Sequence, residues 1–284
     1  MQRRKVKKIS GDIVLYLVLG VIFIITVFPV FYSFMGSFKS NMELLTNGNK
    51  IIPSIFVVDN YKQAWELANF QKYTSNSLFL SFFIVVGTII TSTIAGYVFE
   101  RGHFRGKNLI FAMVISSMFV SLGSLTLYPQ LMIAKVFGIN TSLWGVIIIR
   151  VMGMNVTNLF VTRSYIRTLS TEIDESAKVD GCTFFRIYTS IIFPLLKPLI
   201  ATLAILEFRF AWNDYLMPMV FTLSNPDRMP LVVGIMNLKG SGAAASSWNL
   251  MLAGTSIAII PMIIVYMIFN RYFIQGLTAG AVKG

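Results

Sequence analysis

Three charged residues stand where the chain is otherwise apolar. Arg150 follows Val146-Ile147-Ile148-Ile149, and Glu207 and Arg209 interrupt a second apolar run. A lone charge in hydrocarbon costs roughly 2.5–3.5 kcal/mol on insertion scales, so such residues face protein or a wet path. Glu207 and Arg209 are two positions apart and do not share a helix face. That spacing pairs Arg150 with Glu207 across neighbouring segments as a buried pair, and leaves Arg209 for a partner subunit or an anionic ligand. Trp212, Asn213 and Asp214 follow at once, and Tyr128, Asn155 and Asn158 lie in similar surroundings. An aromatic face with amide and carboxylate groups suits a sugar, although aromatic residues also populate membrane interfaces.

A second polar set has a mechanical character. Glu175-Ser176-Ala177-Lys178-Val179-Asp180-Gly181 lies between long apolar runs and is followed by Ile191-Ile192-Phe193-Pro194. Thr171, Glu172 and Asp174 place polar and acidic groups at a helix start, where the backbone dipole favours them. Ser176 and Ala177 are small enough for close approach, and Gly181 can take the left-handed conformation that ends a helix. Phe184, Phe185, Ile187 and Ile191 open a second apolar face. The expectation is a short helix, a sharp turn and a second helix, forming a docking knob.

Other chemistries find little support. Gly102-His103-Phe104-Arg105-Gly106-Lys107-Asn108 has too few residues between its glycines for a phosphate loop and ends on Asn rather than Ser or Thr. His103 is the single histidine and lacks partners for base or metal work. The single cysteine, Cys182, allows no internal disulfide. No catalytic residue, cofactor or metal is expected in this chain.

The elements that must position these groups are membrane helices. The chain has 284 residues, of which 55% are hydrophobic and 13% charged; a soluble domain usually carries about 25% charged residues. The run from Ile13 to Phe34 is about 33 Å long as a helix, against a hydrocarbon core of about 30 Å. Backbone in lipid must satisfy its own hydrogen bonds, so the spans are helical. The expected fold is all-α with six spans, at about 13–35, 73–99, 108–133, 143–166, 198–221 and 249–273. Gly123, Ser124, Thr126 and Pro129 interrupt the third, which suits either a wet cavity or a kinked, packed helix. The expected domains are a basic N-terminus over 1–12, a membrane domain over 13–273 with a loop at about 167–197, and a tail over 274–284.

Basic residues set the orientation. With the N-terminus inside, fifteen Lys and Arg fall on inner segments and seven on outer ones. Both termini and the Glu175 loop are thereby expected in the cytoplasm, and the net charge of +12 is mostly topology. No nucleic-acid surface is implied. The apolar stretch after the N-terminal basic cluster is too long for a signal core and reads as an uncleaved span.

The Glu175–Pro194 pattern resembles the signature loop of ATP-driven importer permeases: Glu-Ala-Ala, three residues, Gly, nine residues, then Ile-x-Leu-Pro. Ser176 replaces the first Ala and Phe193 the Leu; the other fixed positions agree. Leu206 to Pro218, with Ala211-Trp212-Asn213-Asp214-Tyr215, resembles the fifth span of the carbohydrate-uptake branch. Arg271 to Gly284 resembles the tail of the maltose-type second permease, and Asp59-Asn60-Tyr61 and Phe137–Thr141 also fit.

The resemblance implies a permease subunit for a carbohydrate, an oligosaccharide first of all, working with several partners. These would be a homologous second permease, a dimer of ATPase subunits carrying the ATP and Mg, and an extracytoplasmic binding protein. Glu175, Ser176, Ala177, Asp180, Gly181 and Pro194 would couple to the ATPase. Gln275, Gly276, Leu277 and Thr278 would reach it from the tail, unless the tail is simply frayed. In the long outer segment from Leu223 to Trp248, Gly240, Ser241 and Gly242 would touch the binding protein, a solvated connector being the alternative. A secondary transporter would need an acidic relay or broken-helix ion site, for which Glu207 alone is thin support. A non-transporting scaffold would leave the span charges and the knob without a purpose.

Overall fold

A computed structural model describes residues 2–120, 122–238 and 247–281, with side chains at 12 and over 14–120, 122–238 and 247–269. Among these residues the secondary structure is helical, with no strand. The chain divides into two units, Met1–Phe70 with Ile235–Ile259, and Gln71–Gly234 with Ile260–Gly284.

The first unit is built on helix α1 (Gln2–Gly36), whose stretch Val14–Gly36 is long and apolar enough to cross a membrane. Its side chains from Val14 to Val30 are almost all exposed, so its apolar face meets little of the described chain. Two short helices follow, α2 (Asn41–Thr46) and α3 (Asp59–Leu67). The Ser40 hydroxyl caps α2 by accepting from the Glu43 amide at 3.1 Å. Asn60 is the tie. Its amide donates to the carbonyls of Ser37 and Lys39, each at 2.8 Å, and its oxygen accepts from Asn249. Ala64 and Ala68 turn inward and Trp65 stacks on Phe70.

The second unit is organised around α4 (Phe70–Arg101), a single helix that also qualifies as a span. Small residues let other helices press against it, the means by which helices pack where lipid supplies no hydrophobic drive. A Cβ at Gly87 would lie 2.5 Å from Val151, and one at Gly96 would lie 2.6 Å from Thr162. Ser77, Ser81, Thr88, Ser92 and Thr93 are buried along the same helix.

The expected third span is not one helix. The chain runs through α5 (Lys107–Ser116), a 3-10 turn at Ser117–Phe119, a second at Gly123–Thr126, and then α6 (Leu127–Val136). Gly123 has φ +52°, a left-handed conformation open to glycine. Pro129 sits in the first turn of α6, where its missing N–H does least harm. The fourth span is also broken. Helices α7 (Leu143–Met152) and α8 (Val156–Arg167) meet at 45°, with Met154 at φ +39° between them. Asn155 caps α8 by accepting from the Asn158 amide.

After α8 come α9 (Glu172–Val179), α10 (Phe184–Ile187), a π-helical turn at Tyr188–Ile192 and α11 (Phe193–Leu195). A 77° bend then leads into α12 (Lys197–Trp212). The expected fifth span ends early: α12 stops at Trp212, and α13 (Leu216–Thr222) follows after a break, with Pro218 in its first turn. Helix α14 (Leu231–Asn237) precedes α15 (Trp248–Ala281), whose stretch Trp248–Phe269 is the third unbroken span. Three described helices are long and apolar enough to cross a membrane, or up to five if each bent pair is one span, so the count of six is not confirmed. Helix α15 runs on past residue 273 to Ala281.

Candidate functional site

The loop motif folds as its residues dictate. Glu172, Asp174 and Glu175 occupy the first turn of α9 and Lys178 its last, which complements the helix dipole at both ends. Gly181 has φ +77° and ends the helix. The Cys182 amide donates to Ala177 O at 2.9 Å and the Gly181 amide to Lys178 O at 3.0 Å. Thr183 then starts α10 by accepting from the Arg186 amide. The helix, turn and second helix are all there.

The two faces of α9 differ. Glu175, Ser176, Val179 and Asp180 point outward, and Val179 is 89% exposed, an apolar tip turned away from the described chain. Gly181 and Pro194 are exposed as well. Ala177 is turned the other way. It is buried in a core formed with Tyr97, Ile166, Ile187, Tyr188, Ile192 and Leu196. Its small size brings α9 close to its own chain and leaves outward contact to the neighbouring positions.

What holds that inner face is a charged node in which Asp174, read from the sequence only as part of an acidic helix start, meets Arg101 and Tyr97. Asp174 has an oxygen 3.2 Å from Arg101 Nε, and the Tyr97 hydroxyl donates to its other oxygen at 3.1 Å. Arg101 Nη2 also donates to Leu169 O at 2.6 Å and Ile166 O at 3.4 Å, satisfying carbonyls at the C-terminal end of α8. The Tyr97 ring packs on Phe184 and Tyr188, with centroids 4.5 and 5.5 Å away. One turn earlier, the Thr93 and Tyr188 hydroxyls are 2.9 Å apart. Thr93, Tyr97 and Arg101 are four residues apart and share one face of α4. That spacing is the signal the sequence offered.

A second polar region forms where the helices break. Gly123, Ser124 and Thr126, Arg150 of α7, Arg209 and Phe210 of α12, and the Asn213-Asp214-Tyr215 turn line a cavity of about 600 Å³. Arg150 does not pair with Glu207. Its Nε and Nη2 both donate to one Asp214 oxygen, at 3.1 and 2.5 Å, and its guanidinium lies over the Phe210 ring. Glu207 is buried and accepts from the side-chain amides of Asn155 and Asn158, at 2.8 and 2.7 Å. The bend after α7 brings Asn155 to Glu207, and the early end of α12 frees Asp214 to reach Arg150.

Arg209 faces the cavity and, among the described residues, forms no ion pair. Asn213 lines the cavity too, with its amide donated to Arg209 O. Trp212 does not. It is 2% exposed and stacked on Phe208, so it belongs to the core and offers no face to a sugar. Gly240, Ser241 and Gly242 lie outside the described residues. Gln275, Gly276, Leu277 and Thr278 are described only as backbone of α15.

Broken apolar helices surround a charged cavity, and a bent polar knob turns its apolar tip outward, an architecture that suits a membrane permease. Residues 89–279 match the family described as "Binding-protein-dependent transport system inner membrane component", and the chain belongs to it. It is 32% identical to the arabinooligosaccharides transport system permease protein AraQ of Halalkalibacterium halodurans, over 98% of this chain and 99% of that one. It is 28% identical to the maltodextrin transport system permease protein MdxG of Bacillus subtilis, over 98% of each. Its fold is that of a bacterial ABC transporter involved in alginate import. The TM-score is 0.77 at 23% identity, over 92% of this chain and 96% of that one.

Proposed function

We propose that this chain is one of two permease subunits of an ATP-driven importer for an oligosaccharide. It forms half of the translocation path and receives its driving force from separate ATPase subunits. The observation that carries this reading is the outward face of α9, with Glu175, Ser176, Val179 and Asp180 presented on a helix matching the signature loop of such permeases. The relatives' substrates, arabinooligosaccharides and maltodextrins, support the carbohydrate class.

In this reading both termini and α9 lie in the cytoplasm, as the bias in Lys and Arg implies. ATP and Mg sit on the ATPase dimer, and this chain carries no nucleotide site of its own. Closure of that dimer moves α9, and the two permeases open outward to accept a sugar from the extracytoplasmic binding protein. The cavity at Arg150, Arg209, Asn213 and Asp214 is this chain's wall of the path, its guanidinium groups facing the space a sugar would occupy. Gln275 to Thr278 add a contact to the ATPase, and Gly240 to Gly242 one to the binding protein.

Reconstitution tests the assignment. Uptake of labelled arabinooligosaccharides or maltodextrins into proteoliposomes should require ATP, the partner permease, the ATPase and the binding protein together. Uptake driven by an ion gradient with the ATPase omitted would overturn it.

A further inference from the structure

The geometry points to the Thr93–Tyr97–Arg101 face of α4 as the grip through which movement of α9 is transmitted into the membrane. This rests on the importer reading above and adds a transmission path to it. Besides the short link back to α8 over residues 168–171, two routes lead from α9 into the rest of the second unit. The covalent route passes through Gly181 at φ +77°, the π-helical turn at Tyr188–Ile192 and the 77° bend before α12. Each is a joint where backbone geometry departs from a straight helix, so that route is compliant.

The other route is direct. Asp174, in the first turn of α9, is 4% exposed and is held by the Arg101 guanidinium and the Tyr97 hydroxyl. The same guanidinium holds the end of α8 through Leu169 O and Ile166 O. Tyr97 and Thr93 extend the contact to Phe184 and Tyr188 beyond the turn. All three gripping residues stand on one face of a helix that runs unbroken for 32 residues. That helix meets α7 and α8 at Gly87 and Gly96, where no Cβ intervenes. A buried node that joins an ion pair to hydrogen bonds from Tyr97 and Arg101, set on an unbroken helix, is stiffer than a chain of joints. Displacement of α9 therefore pulls on α4 before it bends the loop. Arg101, Tyr97 and Asp174 are thus positioning residues for coupling, acting through α9 and touching no substrate.

The test uses the assembled importer in proteoliposomes, with ATP hydrolysis and uptake of labelled arabinooligosaccharides and maltodextrins measured together. Arg101→Gln and Asp174→Asn are expected to raise the ATP consumed per sugar imported about tenfold, because a buried partner is lost from the grip. Tyr97→Phe keeps both ring contacts and loses only the hydroxyl, and should raise the ratio about twofold to threefold. A node with only a structural role would lower hydrolysis and uptake in proportion. An unchanged ratio in Tyr97→Phe and in whichever charge variants assemble overturns the grip and leaves the importer reading standing. Failure of the unmodified complex to import either sugar with ATP overturns that reading, and the grip with it.

Discussion

The chain uses the same ion pair, arginine with aspartate, in two settings. At the α9 node the side chains of Arg101 and Asp174 are 11% and 6% exposed. At the cavity the side chains of Arg150 and Asp214 are 28% and 9% exposed, and a second guanidinium, Arg209, stands beside them. The node commits Arg101 Nη2 to two backbone carbonyls while the guanidinium pairs with Asp174, which ties three elements together. The cavity leaves donors open to whatever enters. One arrangement suits transmission of force and the other suits exchange with a passing ligand. What separates them is burial and the commitment of donors, not residue type.

That contrast can be broken experimentally. The largest effect on stability is expected from Asp174→Ala, which leaves Arg101 charged and buried. A buried pair broken on one side costs about 3–5 kcal/mol, and thermal unfolding of the purified complex would show it. Gly181→Val comes next. The left-handed region costs an ordinary residue about 1–2 kcal/mol, and a β-branched one costs more. Gly181 has φ +77°, so the strain applies even though no atom lies within 4 Å of the new Cβ. Membrane insertion should persist while the coupling of hydrolysis to uptake fails, and normal stimulated hydrolysis with normal uptake would count against it.

Arg150→Gln should cost about 1–2 kcal/mol, less than the node, because water reaches the Asp214 carboxylate that is left behind. A double-mutant cycle should find coupling between positions 150 and 214, and none between 150 and 207. The smallest stability effect is expected from Arg209→Gln, within about 0.5 kcal/mol. Its effect should appear in uptake instead, as a raised KM for the sugar. If Arg209→Gln destabilises the complex as much as Asp174→Ala does, the two settings are not distinct.

Much of this was legible beforehand. The Glu175–Gly181 segment announces its helix and turn through local chemistry, the acidic first turn and the glycine with positive φ, and local chemistry does not depend on the rest of the fold. Charges amid Ile and Val announce a buried or wet setting for the same reason. The partner of Arg150 was not legible. The choice between Glu207 and Asp214 depends on where α12 ends, and a hydropathy reading runs straight through Asn213-Asp214 to Pro218. Trp212 misleads in a similar way: its type suits a sugar platform, and only the rotation of α12 turns it into the core against Phe208. The third span fails because apolar composition measures transfer to lipid. It does not register that the backbone breaks between two short helices, with Gly123 at φ +52° in the break.

By itself the sequence determined an all-helical membrane chain, the expected orientation from its basic residues, and the knob made by Glu172 to Gly181. These follow from transfer free energy, charge and local backbone preference, each set by residues near in the chain. Only the tertiary structure decided that Asp174 meets Arg101, that Asp214 rather than Glu207 meets Arg150, and that Arg209 is left facing open space. Those outcomes rest on contacts between residues more than sixty positions apart, and they are set by where helices stop and bend.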